Sequence, residues 1–239
     1  MCVYDLRANL WHLCSENANQ TLIQMTKKKI TLLTGILIGL LSLGFLLLNT
    51  FADLEEPTIS ATEYRQQTET ERNKKDAFFR EDTGSPIADK RSFTHLTYYS
   101  PDLAYRVSAR LEPFADAGQK MTVRMSDGSE EVYEKQAHAV FELNGQACRL
   151  LITKTNGKYS ILFRDGTSGK TTYGGGRYLD LEADQLTGNR AMLDFNAAYN
   201  PYCTYNASYA CPLPPTENTL PVAVEAGEKQ VAGQHRSTD

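Results

Sequence analysis

Three dipeptides between residues 121 and 163 constrain the fold most: Asp127–Gly128, Asn144–Gly145 and Asn156–Gly157, each flanked by residues of alternating polarity. Such pairs accept the left-handed backbone of tight hairpin turns, whose twist matches that of the strands they join. They predict an antiparallel meander. Upstream, Tyr105, Val107, Ala109 and Leu111 alternate with Arg106, Ser108, Arg110 and Glu112, the pattern of a half-buried strand. Met121, Val123 and Met125 alternate likewise. After the first turn a strand runs through Val132, then Ala139–Leu143, Gln146–Thr153 and a run holding Tyr159, Ile161 and Phe163. Further strands are expected at Arg177–Leu181, Ala191–Asn196 and Val222–Glu225. Crossover helices are lacking, which excludes parallel doubly wound folds. The expected class is mainly β: an antiparallel β-roll, small barrel or sandwich of about 7–9 short strands, preceded by one transmembrane helix and one charged helix.

The transmembrane expectation rests on Ile30–Leu48, nineteen residues without a charge. At helical rise they span roughly 28 Å, close to a bilayer's hydrocarbon core. They lack the polar stripe of a helix in a globular domain. Lys27, Lys28 and Lys29 precede the run, and Asp53, Glu55 and Glu56 follow it. The positive-inside rule then leaves the N-terminus in the cytoplasm and the rest extracytoplasmic, periplasmic if the cell is Gram-negative. The run exceeds the usual core of a signal peptide, which favours an uncleaved single-pass anchor; the alternative is secretion after cleavage near Ala52. Residues 1–24 read as an unstructured cytoplasmic extension, with Met25 a natural start, and 25–52 as the anchor. Residues 53–91 form a linker and a charged helix, 92–229 the β domain and 230–239 a loose tail. Ser60 to Glu63 fits a capping box, so the helix starts there and runs to about Arg80. Its charge run reads as a solvated face, with Ala77, Phe78 and Phe79 docking its end. Net charge is -4, which argues against nucleic acid as a partner.

Residues Glu71–Arg80 with Ser85–Pro86, the stretch FRDGTSGKTTYGGGRYLDL (163–181) and the stretch LDFNAAYNPYC…CPLPPTENTLPVAVEAGEK (193–229) resemble the bacterial domain-of-unknown-function family 1684. The resemblance covers roughly Glu71 to Lys229. It implies a β-rich bacterial protein and no established activity. Members often carry a longer N-terminal portion, so any function residing there is expected to be absent here.

Cys203 and Cys211 have seven residues between them. In an exported loop the first reading is a disulfide, stabilising by about 2–3 kcal/mol in the chain-entropy model. Reduced, packed thiols are the second reading. A metal site is the least supported, because zinc needs three or four ligands and neither His95 nor His138 has motif spacing. No metal and no cofactor are indicated.

Glycine-rich turns span Asp165–Gly169 and Tyr173–Arg177. Their freed amides and the guanidinium groups of Arg164 and Arg177, with Asp165, Thr167 and Ser168, suit an anion. Turn geometry alone accounts for such glycines and is the favoured reading, and the pattern is not a nucleotide loop. Asp194 and Asn196 are expected on one face of a strand, followed by Tyr199 and Asn200, an arrangement for a sugar or polar ring compound. The bland alternative is that these amides tie down an irregular loop. Asp180, Glu217 and Asn218 complete the candidates; Glu228 and Lys229 read as site residues or turn ties. No nucleophile-elbow motif is present. The sequence points to a small polar or anionic ligand or an envelope component. A hydrolase using carboxylates of the same region and a non-catalytic scaffold stand as alternatives.

Overall fold

The computed structural model describes residues 59–230 apart from 117 and 187, together with Gly35 and Gly39. The expected anchor, the N-terminal extension and the tail beyond 230 lie outside the described residues. No helix among the described residues is long and apolar enough to cross a membrane.

One antiparallel sheet of seven strands forms the domain: β1 (Arg106–Pro113), β2 (Lys120–Arg124), β3 (Glu130–Leu143), β4 (Gln146–Thr155), β5 (Lys158–Phe163), β6 (Arg177–Leu181) and β7 (Arg190–Asp194). The order is β6-β5-β4-β3-β1-β7, with β2 pairing β3 off this path. The sheet curls into a half-barrel rather than stacking as a two-sheet sandwich. Asn144 and Gly145 both have positive φ, as do Asn156 and Gly157, the geometry that tight hairpins demand. The two short strands expected before Leu143 are one 14-residue strand, β3. Its register shifts between Lys135 and Ala137, so its first half pairs β2 and its second half pairs β1. Such a bulge bends the strand and strengthens curl.

The concave face holds the core: Leu111, Phe141, Leu150, Ile152, Ile161, Phe163, Leu193 and Phe195 among others. Residues 220–230 close it as a strap. Leu220, Val222, Val224 and Ala226 point inward, while Ala223 and Glu225 are exposed. This alternation predicts a strand at 222–225, but none forms there. The strap's backbone bonds go to other partners: Val224 N–H donates to Asp165 Oδ1 at 3.2 Å, and the Val222 carbonyl accepts from Gly166 N–H at 2.8 Å.

Helix α1 spans Ala61–Glu81, and Ser60 caps it by accepting from Glu63 N–H at 3.2 Å. It is docked along its length, not only at its end. Tyr64 Oη donates to both Asp194 oxygens at 2.7 and 2.8 Å. The Arg72 guanidinium donates to the Tyr99 and Asn196 carbonyls at 2.8 and 3.3 Å. Lys75 Nζ pairs with Glu228 at 2.5 Å, and Asp76 accepts from Leu96 N–H at 3.0 Å. Phe79 is buried, edge-on to Tyr205 at 5.1 Å between centroids. Part of the charge run expected to be solvated is therefore a set of ties, because Arg72, Lys75 and Asp76 share a helical face with Tyr64 and Phe79.

Neighbouring lysines on α1 test this docking. The Glu228 side chain is fully buried, so Lys75→Met leaves a carboxylate without its cation, and a loss of about 3–5 kcal/mol is expected. Among the described residues Lys74 pairs only with exposed Glu71, so Lys74→Met is expected to stay within about 0.5 kcal/mol. Urea-unfolding midpoints of the two variants check the contrast.

Candidate functional site

Arg177, one of the sequence candidates for an anion, is fully buried. Its guanidinium pairs with Asp165 Oδ2 at 2.9 Å and donates to three strap carbonyls: Val224 at 2.9 Å, Glu228 at 3.2 Å, and Ala226. It also lies over the Phe163 ring at 5.4 Å. Asp165 is held in an Asx turn, accepting from Thr167 N–H at 2.7 Å and Thr167 Oγ1 at 2.6 Å; its own N–H donates to Ser168 Oγ at 3.1 Å. The turn chemistry that suggested an anion site thus serves an internal anion, the Asp165 carboxylate. Arg164 is half-buried; its backbone N–H donates to the Asn218 carbonyl at 2.9 Å.

The remaining candidates divide into separate groups. Asp194 accepts from Tyr64 and from Asn196 N–H at 3.0 Å, and Asn196 exchanges two bonds with the Asp102 backbone at 2.8 and 2.9 Å. Strand β7 ends at Asp194, and Phe195–Ala197 is a short helical turn that Asp194 caps. The expected common strand face for Asp194 and Asn196 is therefore replaced by a capped turn. Asn200 N–H donates to Glu228 Oε2 at 2.7 Å, and its side chain to the Lys229 carbonyl at 2.8 Å. Asn218 is fully buried and bonds Leu151 N–H, Leu151 O and Leu162 O. Tyr199 Oη donates to Asp180 at 3.0 Å. Burial and the carboxylate hold the Tyr199 phenol protonated well above its ordinary range.

Glu217 sits with His138. Arg149 donates to His138 Nδ1 at 2.8 Å, so the proton lies on Nε2, which donates to Glu217 at 2.9 Å. Both ring nitrogens are committed, and the imidazole has no lone pair free to act as a base.

Cys203 and Cys211 are free thiols in contact, not the expected disulfide. Cys203 N–H donates to Cys211 Sγ at 3.1 Å. Hydrogen bonds rather than a covalent bond close the loop: Asn206 Oδ1 accepts from Ser208, while Ser126 takes Cys211 N–H at 3.0 Å and donates its own N–H to the Cys211 carbonyl at 2.8 Å.

A cleft of about 620 Å³ opens where α1, residues 99–105 and the strap meet. Its lining includes Arg65, Tyr99, Asp102, Tyr105, Glu225 and Lys229. Lys229 is fixed by its backbone: its N–H donates to Thr97 O at 2.8 Å, and Tyr99 N–H donates to Gly227 O at 3.0 Å. Its ammonium lies over the Tyr99 ring, 4.5 Å from the centroid. Gly227 lets the strap pass close to residues 195–198, since its φ is +75° and a Cβ there would lie 2.4 Å from the Ala198 carbonyl oxygen. Arg65 stands one residue beyond Tyr64, whose phenol is tied to Asp194 and pushed up by burial and that carboxylate. Neither Arg65 nor Lys229 makes an ion pair among the described residues. The lining brings the cations of Arg65 and Lys229 together with the carboxylates of Asp102 and Glu225. Sequence reasoning singled out Lys229 but not Arg65, Tyr99, Asp102, Tyr105 or Glu225. Their only signal is convergence from distant segments.

Residues 91–229 match the family described as "Protein of unknown function (DUF1684)". An uncharacterized protein of Haloarcula marismortui, solved in solution by NMR, is 35% identical, with 73% of this chain and 97% of that chain covered and a TM-score of 0.57. A comparison with curated proteins finds none similar. Neither similarity carries the bacterial origin that the sequence resemblance implies. The chain belongs to the DUF1684 family.

Proposed function

We propose that this DUF1684 protein is a membrane-anchored, extracytoplasmic β domain that binds a small polar ligand carrying an anionic group. The cleft between α1 and the strap is the binding place. One observation carries the reading: the Lys229 ammonium, with no ion-pair partner among the described residues, held over Tyr99 at the wall of a cleft of about 620 Å³. Arg65 supplies a second cation, and Asp102 and Glu225 supply acceptors for a ligand's hydroxyl or ammonium groups. A cleft of this volume with a few convergent polar groups suits a small molecule. The glycine turns and the Asn/Tyr/Pro segment act indirectly, by fixing the strap.

Membrane anchoring is supported by the uncharged run 30–48 and the charge asymmetry around it. The chain is expected to stay in the membrane pellet through an alkaline carbonate wash. Release by the wash would remove the anchor from this reading.

Thermal shift measurements on the protein, with inorganic phosphate, glucose 6-phosphate and citrate as probes, test binding. A probe at 100 times its Kd stabilises by about 2.7 kcal/mol, a rise of several degrees in Tm. At least one probe is expected to raise Tm in the native protein. Lys229→Ala and Arg65→Ala are expected to unfold at the native temperature without ligand and to lose that rise. No rise with any probe, or an undiminished rise in both variants, contradicts the assignment.

A further inference from the structure

The thiols of Cys203 and Cys211 have no part in the cleft, yet their surroundings differ in a way that bears on reactivity. Cys203 lies on the short helical turn Tyr202–Thr204 and is half-exposed, whereas Cys211 is buried, 6% exposed. Cys203 N–H donates to Cys211 Sγ at 3.1 Å, which holds the two residues in contact, and Ser126 Oγ accepts from Cys211 N–H at 3.0 Å beside them. Cys211 is immobilised from both sides by Ser126. Tyr133 and Tyr178 stand near the Cys211 sulfur, and burial keeps both phenols protonated.

We propose that Cys203 and Cys211 form a thiol–disulfide exchange site that takes low-molecular-weight disulfides. The half-exposed Cys203 is the attacking sulfur and the buried Cys211 the resolving one. The Cys203 thiolate attacks one sulfur of the disulfide RSSR, forming Cys203–S–S–R and releasing RS⁻. Cys211 then gives up its proton, which RS⁻ takes, and its sulfur attacks the Cys203 sulfur. The S–S–R bond breaks, a second thiolate leaves and takes a proton from solvent, and the Cys203–Cys211 disulfide remains. The two cysteines are oxidised by two electrons, and RSSR is reduced to two RSH.

The electrostatics run the same way. The Cys211 S–H bond stabilises a Cys203 thiolate more than burial opposes it, bringing Cys203 to about 7. Cys211 is driven strongly upward, first by that same bond and then by burial. The pair therefore shares one proton near neutrality, which is the division of labour that an attacking and a resolving thiol require. Cys148, also buried, is pushed up by desolvation, which outweighs the opposing backbone bond with Leu143.

The probe is oxidised glutathione, added to the full chain at pH 7, with the thiols mapped by alkylation and peptide mass spectrometry. In the native protein the peptides holding 203 and 211 are expected to be joined by a disulfide. Cys211→Ser is expected to accumulate glutathione on residue 203. Cys203→Ser is expected to leave residue 211 a thiol. A second measurement needs no variant: alkylation of the native chain by iodoacetamide at pH 7 is expected to be roughly tenfold faster at Cys203 than at Cys148. Both thiols remaining free, modification of residue 211 in Cys203→Ser as fast as of residue 203 in Cys211→Ser, or alkylation no faster at Cys203 than at Cys148 would each overturn the proposal.

Discussion

A guanidinium with no exposure to solvent fixes the C-terminal strap of this domain. Burying a charge is costly unless it is paired and its donors are used. Arg177 is paired with the Asp165 carboxylate on one side, and its terminal N–H groups meet the carbonyls of 224, 226 and 228 on the other, leaving its Nε without a partner among the described residues. Those carbonyls belong to a segment without a strand partner, and buried backbone groups must find partners somewhere. Arg177 supplies them, so the strap can lay Leu220, Val222, Val224 and Ala226 across the open side of the half-barrel without joining its sheet.

Everything that positions the cleft follows from that seating. It places Glu228 under Lys75, which ties α1 to the strap, and sets Lys229 over Tyr99. The walls of the cleft are fixed by Tyr64–Asp194 at one end and the strap at the other, so the ligand proposed for it would meet a formed site. Little ordering is then left for binding to accomplish.

The sheet was legible in the sequence because its chemistry is local: Asn144–Gly145 and Asn156–Gly157 determine their turns within a few residues. The Ser60 cap was legible for the same reason. The strap was not, because period-two burial at 220–226 looks like a strand, while its actual partner is Arg177, 47 residues from Val224. Arg177 reads as able to hold a bound anion, and spacing cannot reveal that its carboxylate partner is Asp165 of the same chain. Nor can it distinguish a bond between Cys203 and Cys211 from two thiols in contact. The cleft escaped because Arg65, Tyr99, Asp102 and Lys229 come from separate segments and share no motif.

Amide hydrogen exchange in Arg177→Lys, set against the native protein, tests the clamp most directly. Lysine keeps the charge beside Asp165 but lacks the planar fork that spans several carbonyls. Each bond to a charged group contributes about 1.5–3 kcal/mol, so exchange at Val224, Glu228 and Lys229 is expected to quicken by about tenfold or more. Leu150 and Ile152, in the middle of the sheet, are expected to keep their protection. Unchanged protection at those three strap amides would contradict the account.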